Sequence, residues 1–419
     1  MNRRIAVIGT LDTKGPEIAY VAARIRALGR IPMVIDSGIL GTPGISADIT
    51  REEVAASAGR TLASILDAGS RGAAVELMQT GLTAIARRLY DDGEIEAVLC
   101  LGGAEGGLLG AAAMQALPVG VPKLILSPSA SGRREFGPFV GSSDIVVMHS
   151  VIDILGINAL SRSVFDNAVA AIVGMCSWGG GLPRSDRPAV GITMLGQTTP
   201  GAMAVARVIE DAGYEPIIFH ANGVGGPAMD DLVREGLLSG VVDFTLSELA
   251  NTIFDGIHAT PPERMTAAPI AGVPTVVVPG AGDFFNQGPL GSVPDRYHSR
   301  AMYHHNPVAT LVRVQEDEMR TLGRMIADRL RGASGPVEVV MPTGGLSLIG
   351  VPGGPIADAS ADRALLETLR AELPDDVVLI ERPESVNDES LGRFVGERFI
   401  ALAARSSRPS RSSRPEQLR

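Results

Sequence analysis

The sequence predicts an α/β protein with two domains of one plan, each a mostly parallel sheet with helices on both faces. A strand–turn–helix–strand pattern occurs twice, and matching residues of the two copies, such as Gly29 and Gly213, lie 184 positions apart. Continuous Val/Ile/Leu runs alternate with helical patterns, which is typical of parallel strands buried on both faces. The chain of 419 residues is also too long for one hydrophobic core. The repeated pattern therefore predicts two Rossmann-like domains related by internal duplication.

The first domain is predicted over residues 1–180. The helix over Glu17–Leu28 places its apolar residues on one face, and Thr50 with Glu53 forms a capping-box pattern that begins another helix. A third helix is predicted over Thr80–Tyr90, and a helix of small residues follows the fourth strand. The predicted strands are Arg4–Ile8, Pro32–Ile35, Ala73–Leu77, Ala97–Leu101 and Lys123–Leu126.

The second domain is predicted over residues 181–404, after a linker rich in Gly, Pro and Ser near 177–188. Its segment 271–278 repeats the pattern of segment 119–126, which extends the duplication beyond the first unit. Strands are predicted near 189–193, 216–219, 241–245, 274–278, 337–341 and 377–380. The tail over 405–419 alternates Arg, Ser and Pro, a composition that predicts disorder.

The composition argues against several classes of function. A net charge of −10 and an aromatic content of 4% disfavour nucleic-acid binding. Cys100 and Cys176 form no CxxC pair, as expected for reduced thiols. The first residues lack a signal-peptide pattern, and no uninterrupted apolar run reaches the roughly 18 residues of a membrane span. We therefore expect a cytoplasmic protein with no membrane partner.

The loop after the first strand is a candidate phosphate site. Thr10 and Thr13 supply hydroxyls, Gly15 leaves its amide accessible, and Lys14 can neutralise a phosphate oxygen. Asp12 can hold a magnesium ion, as can Asp36 at the end of the second strand. A Walker A motif is excluded, because no Gly precedes Lys14 and no Ser or Thr follows it. The alternative is a polar turn that caps its own helix.

Two further loops of the first domain follow strands. One is rich in glycine, which permits either close approach of a ligand or close packing of a helix on the sheet. The other offers three hydroxyls. The candidate binding residues are Gly102, Gly103, Gly106, Gly107, Ser127, Ser129 and Ser131.

The corresponding loops of the second domain add Thr198, Thr199, Asn222 and Gly223 as candidate binding residues. Segment 223–228 fits the pattern G-x-G-x-x-A, but the polar residues just before it crowd the turn. Binding of a nicotinamide dinucleotide is therefore disfavoured.

Five of the six histidines lie between residues 220 and 305. His220 ends a strand at the expected ligand edge, whereas Asp283 and His305 belong to stiff polar loops. These three are candidates for acid/base or metal chemistry. No HxxxH, HExxH or HxH spacing joins the histidines, so the alternative is a set of hydrogen-bonded loop residues.

Ordered motifs over residues 4–400 resemble a known family. They include Gly9-Thr10-x-Asp12-Thr13-Lys14-Gly15, Asp36-x-Gly38, Thr198-Thr199-Pro200, Phe219-His220-Ala221, His305-Asn306-Pro307 and Asn387-Asp388. The family is the one containing the ATP-binding N-terminal domain of the tomato mosaic virus resistance protein, with many uncharacterised bacterial members.

The resemblance implies a homodimer of two Rossmann-like domains that binds ATP with magnesium. It makes the loops at Thr10–Gly15 and Gly102–Gly107 the first candidates for nucleotide binding. Some relatives carry a C-terminal TIM-barrel-like domain, which we do not expect in a chain of this length. By family analogy a separate TIM-barrel-like protein is a candidate partner.

The glycine-rich loop departs from the family pattern Gly-Gly-Ser-x-Gly-Thr. Here it reads Gly102-Gly103-Ala104-Glu105-Gly106-Gly107, with two hydroxyls fewer and one carboxylate more. That carboxylate repels a triphosphate unless a metal bridges them.

Three functions remain open. The first is binding of an ATP-like nucleotide with magnesium, the small phosphorylated ligand lying between the domains. The second is an enzyme acting on a small phosphorylated or carboxylated metabolite through His220, His305 and Asp283. The third is a regulatory module that acts through a protein partner.

Overall fold

The computed structural model describes residues 3–130, 137–179 and 186–406. Its contacts divide the chain into two compact units, residues 1–184 and 185–419. Each unit is an α/β body in which helices surround a parallel sheet. The α/β class with parallel sheets is therefore confirmed.

Unit 1 contains five strands and seven helices within its described residues. Its strands are β1 (Arg4–Gly9), β2 (Ile31–Asp36), β3 (Ile95–Leu101), β4 (Lys123–Ser127) and β5 (Val146–His149). Its helices are α1 (Leu11–Ala27), α2 (Arg51–Ser57), α3 (Leu62–Leu66), α4 (Arg71–Asp91), α5 (Ala104–Gln115), α6 (Gly137–Val140) and α7 (Ala159–Trp178).

The sheet of unit 1 has the order β2-β1-β3-β4-β5, and every neighbouring pair is parallel. Alternate residues of β1 enter different cores. Ile5 and Val7 pack with α1 and α7, whereas Ala6 and Ile8 pack with α2, α4 and α5. Helices therefore cover both faces of the sheet. The chain changes direction across the sheet between β1 and β3, which we call the switch point; this is where sheets of this order bind ligands.

Unit 2 contains nine strands and seven helices within residues 186–406. Its strands are β6 (Ala189–Met194), β7 (Glu215–His220), β8 (Gly240–Thr245), β9 (Thr275–Gly280), β10 (Phe284–Gln287), β11 (Met302–Asn306), β12 (Ala309–Arg313), β13 (Val337–Pro342) and β14 (Val378–Arg382). Its helices are α8 (Thr199–Asp211), α9 (Gly225–Arg234), α10 (Ser247–Ile253), α11 (Ala267–Ala271), α12 (Glu316–Leu330), α13 (Ala359–Glu372) and α14 (Glu389–Ser406).

The main sheet of unit 2 has the order β14-β13-β9-β8-β6-β7 and is parallel throughout. All six strands predicted for this domain are present. The antiparallel sheet β10-β12-β11 was not predicted. Its strands are short and lie between two strands of the main sheet in sequence, where the alternation of strand and helix stops.

The predicted strand Ala73–Leu77 is wrong, because these residues lie in α4. Ser70 caps this helix by accepting a hydrogen bond from the Ala73 amide. The buried face continues at a spacing of three or four residues through Ala74, Met78, Leu82, Ile85 and Leu89. Helical periodicity across the whole segment therefore outweighs the short apolar run.

Two other boundaries also differ from the expectations. Helix α1 begins at Leu11 instead of near Glu17, so the expected Thr10–Gly15 loop is the first turn of a helix that kinks at Lys14. Helix α14 extends to Ser406, which places the first two residues of the expected tail in a helix. Residues 407–419 lie outside the described residues.

Helix α7 is the one described helix that is long and apolar enough to span a membrane, judged by length and composition alone. Its Phe165, Val169 and Ile172 pack in the core of unit 1 with residues of α1 and β1. The helix of a domain core passes the same test, so this feature is weak evidence for a membrane.

The glycine-rich loop meets a strict packing requirement at Gly102. A Cβ atom there would lie 2.5 Å from the carbonyl carbon of Gly106, whereas a Cβ at Gly103 would meet nothing within 4 Å. We predict that Gly102→Ala lowers the free energy of unfolding by about 1–3 kcal/mol, because the start of α5 must move away from β3. Gly103→Ala is the matched control, with a smaller loss. Urea unfolding of both variants measures the difference, and equal losses would contradict the packing argument.

Candidate functional site

A cavity of about 530 Å³ lies at the carboxyl edge of the unit 1 sheet. Its walls come from the segment after β2, the connection between α3 and α4, and the first turn of α5. The volume falls within the range of about 300–1,000 Å³ that is usual for small-molecule sites. The lining residues are Ile39, Leu40, Leu66, Asp67, Gly69, Ser70, Arg71, Ala74 and Glu105.

The cavity combines an apolar wall with a pair of charges. Ile39, Leu40 and Leu66 form the apolar side. On the other side Arg71 donates two hydrogen bonds to Glu105, with Nε–Oε2 and Nη2–Oε1 distances of 2.6 and 3.1 Å. These bonds raise the pKa of the Arg71 guanidinium, so the group is cationic. The extra carboxylate of the glycine-rich loop is therefore neutralised within the unit.

The first turn of α5, which contributes Glu105 to the cavity lining, has amides without hydrogen-bond partners in the described part of the chain. The N-cap residue is Gly103, so no side chain caps the helix. The amides of Ala104, Glu105 and Gly106 donate no hydrogen bond to any described residue. By contrast, side chains cap the four helices α2, α3, α4 and α7. Free amides at a helix N-terminus form a natural anion site.

The first turn of α1 is arranged differently. The Leu11 amide donates to Asp36 Oδ1 at 3.1 Å, and the Thr13 and Lys14 amides donate to the Thr10 carbonyl. The Thr10 and Thr13 hydroxyls bond to each other at 2.7 Å. Most donors of this turn are thus used within the chain.

The charged residues around α1 have separate roles. Lys14 donates to the Ile154 carbonyl and lies 3.8 Å from the Asp153 carboxylate, within a segment that does not line the cavity. Asp36 is 1% exposed and accepts a hydrogen bond from Arg51 Nε at 2.6 Å. Asp12 is different, because its Oδ1 is buried and has no hydrogen-bond partner among the described residues.

The other candidate binding glycines and serines described in unit 1 contact neighbouring parts of the chain. A Cβ at Gly15 would lie 3.3 Å from Gly44, and one at Gly107 would lie 2.6 Å from the Phe139 ring. Ser127 Oγ accepts a hydrogen bond from the Ser129 amide, and both side chains are buried away from the cavity. Ser131 lies outside the described residues.

The candidate binding residues of unit 2 form hydrogen bonds with other residues of the same unit. Thr198 is buried and bonds to Thr245, and the Thr199 hydroxyl donates to the Leu195 carbonyl. The Asn222 amide donates to the His220 carbonyl. The amides of Gly223 and Gly226 both donate to Glu248 Oε1.

Glu248 belongs to a buried ion-pair network. Arg264, which is 2% exposed, donates to Glu248 Oε2 at 2.7 Å and to both oxygens of Asp243. This network occupies the amides that a dinucleotide phosphate needs at the G-x-G-x-x-A segment. The geometry therefore agrees with the disfavoured status of a nicotinamide dinucleotide.

The three candidate catalytic residues lie on separate elements. His220 is exposed at the end of β7, and His305 is exposed in β11. Asp283 is fully buried between β9 and β10, where it accepts a hydrogen bond from Ser347. No hydrogen bond or ion pair among residues 186–406 joins any two of the three. The described part of the chain also holds no group of three His, Cys, Asp or Glu side chains placed to bind a metal.

Arg71 lines the cavity but was not among the site residues predicted from the sequence. A signal was present, because Ser70 is an N-cap residue type and Arg71 follows it directly. Assigning a strand to Ala73–Leu77 hid that signal, since it moved the predicted start of the helix to Thr80.

Comparison with known proteins identifies the family. The N-terminal domain model of the uncharacterised protein family UPF0261 matches residues 3–179, and the C-terminal domain model matches residues 187–403. The chain belongs to family UPF0261. Relatives include UPF0261 proteins of Clostridium tetani, 36% identical over 96% of this chain and 99% of the relative, and of Rhizobium meliloti, 38% identical over 92% and 96%.

The family extends to a plant protein. The ToMV resistance protein Tm-1 of Solanum lycopersicum is 32% identical over 96% of this chain, which spans 56% of the tomato protein. The ToMV susceptible protein tm-1 matches equally well, at 31% identity over the same shares. The likeness therefore does not separate resistance from susceptibility.

The buried Asp283 carboxyl predicts a pH dependence. Burial raises its pKa from 3.8 to about 6, although the nearby Arg313 opposes the shift. A pKa that is higher in the folded state gives stability that is complete below about pH 4 and is lost as the pH rises through about 6. We predict that raising the pH from about 4 to about 8 lowers the free energy of unfolding less in Asp283→Asn than in the wild type.

Urea unfolding at the two pH values measures this loss. Asp295→Asn is the control, because that side chain is fully exposed. An unchanged pH dependence in Asp283→Asn would contradict the assignment.

Proposed function

We propose that the protein binds an ATP-like nucleotide together with magnesium in the unit 1 cavity. The observation that carries the proposal is the uncapped first turn of α5, which has free amides within the described residues and contributes Glu105 to a cavity of about 530 Å³ that Arg71 also lines. The sheet order places this cavity next to the switch point, where α/β sheets bind phosphorylated ligands. The sequence resemblance to an ATP-binding family supports the same ligand class.

The cavity supplies a partner for each part of a nucleotide. The free amides of α5 and the Arg71 guanidinium suit phosphate oxygens. Ile39, Leu40 and Leu66 suit the flat face of a base. Glu105 lines the cavity, and the charge of Asp12 acts on the neighbouring Arg71. Glu105 and Asp12, whose buried Oδ1 has no hydrogen-bond partner among the described residues, are the carboxylates suited to hold magnesium. Lys14 and Asp36 do not line the cavity, so the proposal does not use them.

We also propose that the two units arose by duplication. Counted from β6 and leaving out the antiparallel insertion, the unit 2 sheet has the order second, first, third, fourth, as in unit 1. The constant offset of 184 residues supports the same origin. A homodimer, a cytoplasmic location and a TIM-barrel-like partner remain predictions from the sequence and its resemblance.

Binding of ATP with magnesium tests the proposed function by calorimetry. We predict that Arg71→Gln weakens affinity about 10-fold or more, because it removes a phosphate partner and leaves Glu105 unpaired. Adenosine should bind at least about 10-fold more weakly than ATP, since it lacks the phosphates. Ligand at about 100 times its Kd should raise the free energy of unfolding by about 2.7 kcal/mol.

Arg87→Gln is the matched control. Arg87 lies on the same helix as Arg71, pairs with Asp91 at 3.0 Å and does not line the cavity. Its affinity for ATP should equal that of the wild type. Absence of saturable ATP binding would refute the function, and equal affinities for Arg71→Gln and Arg87→Gln would refute the site.

A further inference from the structure

A second cavity, of about 260 Å³, lies in unit 2 at the carboxyl end of β13. Thr343 and Gly345 follow the strand on one side, and the first turns of α13 form the other side. The volume is slightly below the usual range of about 300–1,000 Å³ for drug-sized ligands. The cavity therefore suits a small metabolite rather than a nucleotide.

Two carboxylates of this cavity have one oxygen each in use. Asp358 Oδ1 caps α13 by accepting from the Ser360 and Ala361 amides, both at 3.1 Å. Asp362 Oδ1 accepts from Arg313 Nη2 at 2.6 Å. The Oδ2 atoms of both residues have no hydrogen-bond partner among residues 186–406. Two carboxylate oxygens are thus available to a cation at one cavity.

Arg363 brings the opposite charge to the same cavity. Its side chain is exposed, and it forms no ion pair or hydrogen bond with any described residue. Most other arginines of α12 and α13 have partners; Arg320 pairs with Glu316, and Arg370 pairs with Glu381. A free guanidinium beside a cavity is suited to an anionic group of a ligand.

A cluster of buried polar side chains fixes the part of the cavity wall that Gly350 forms. Ser347 Oγ donates to Asp283 Oδ2 at 2.7 Å and accepts from the Gly350 amide at 2.9 Å. Arg313, which is 3% exposed, lies 3.4 Å from the same Asp283 oxygen and bonds to Asp362. The cluster therefore links the Gly350 wall to Asp362. Side chains fixed in this way give a preformed site.

We propose that this cavity binds a small α-amino acid with an aliphatic side chain. The ligand ammonium lies between Asp358 and Asp362, and the ligand carboxylate pairs with Arg363. Met341 and Leu366 supply apolar surface for the aliphatic side chain. The site belongs to unit 2 alone and does not depend on nucleotide binding in unit 1.

Calorimetry with a panel of the common L-α-amino acids, each at millimolar concentration, tests the proposal on the full chain. We expect saturable binding of at least one aliphatic member. The matching amine without the carboxylate, and the matching acid without the ammonium, should each bind about 10-fold more weakly or worse, because each loses one charged partner. Absence of binding by every aliphatic member, or equal binding of either analogue, overturns the proposal.

Two variants locate the site without disturbing the fold. Asp358→Asn keeps the helix cap, since Asn caps as well as Asp, and removes only the charge. Arg363→Gln removes an exposed guanidinium that has no partner in the protein. Each should weaken amino-acid binding about 10-fold. Arg324→Gln, an exposed arginine on α12, is the control with unchanged affinity. Affinity unchanged in Asp358→Asn and Arg363→Gln would place the binding elsewhere and overturn the proposal.

Discussion

The parallel direction of the strands is the constraint on which the candidate sites depend. The five strands described in unit 1 all run the same way, so every segment that follows one of them emerges at one edge of the sheet. This places Asp12, Ile39 and Glu105 in one neighbourhood although they are far apart in sequence. The same rule brings the end of β13 and the start of α13 together in unit 2. The direction of the strands alone therefore brings these polar groups to the same edge of the sheet.

Much of this architecture can be predicted from the sequence. Apolar runs identify the buried strands because a parallel strand covered on both faces needs no polar alternation. The Thr50–Glu53 capping box is present, with the Glu53 carboxylate accepting from the Thr50 amide at 2.7 Å. Such features depend on neighbours in the chain, which a single sequence shows directly.

The candidate site was harder to predict because its contacts are long-range. Lys14 looks like a phosphate ligand in sequence, yet its ammonium reaches a carbonyl 140 residues away. Arg71 looks like an ordinary surface residue, yet it pairs with Glu105, 34 residues away. No local pattern specifies these partners. They follow from how helices pack on the sheet, and one misassigned segment, Ala73–Leu77, was enough to hide Arg71.

In both units, carboxylates of the protein accept hydrogen bonds from amides that an empty binding loop would leave free. In unit 2, Glu248 accepts hydrogen bonds from the Gly223 and Gly226 amides that follow β7, and it pairs with the buried Arg264. Removing either member of the pair would leave a buried charge at a cost of about 3–5 kcal/mol. In unit 1, Asp36 bonds the first amide of α1 and is itself held by Arg51. Unit 1 therefore supplies an internal anion to one of the two helices at its switch point. An external phosphate would find α1 already neutralised by the protein, and only α5 still able to receive it.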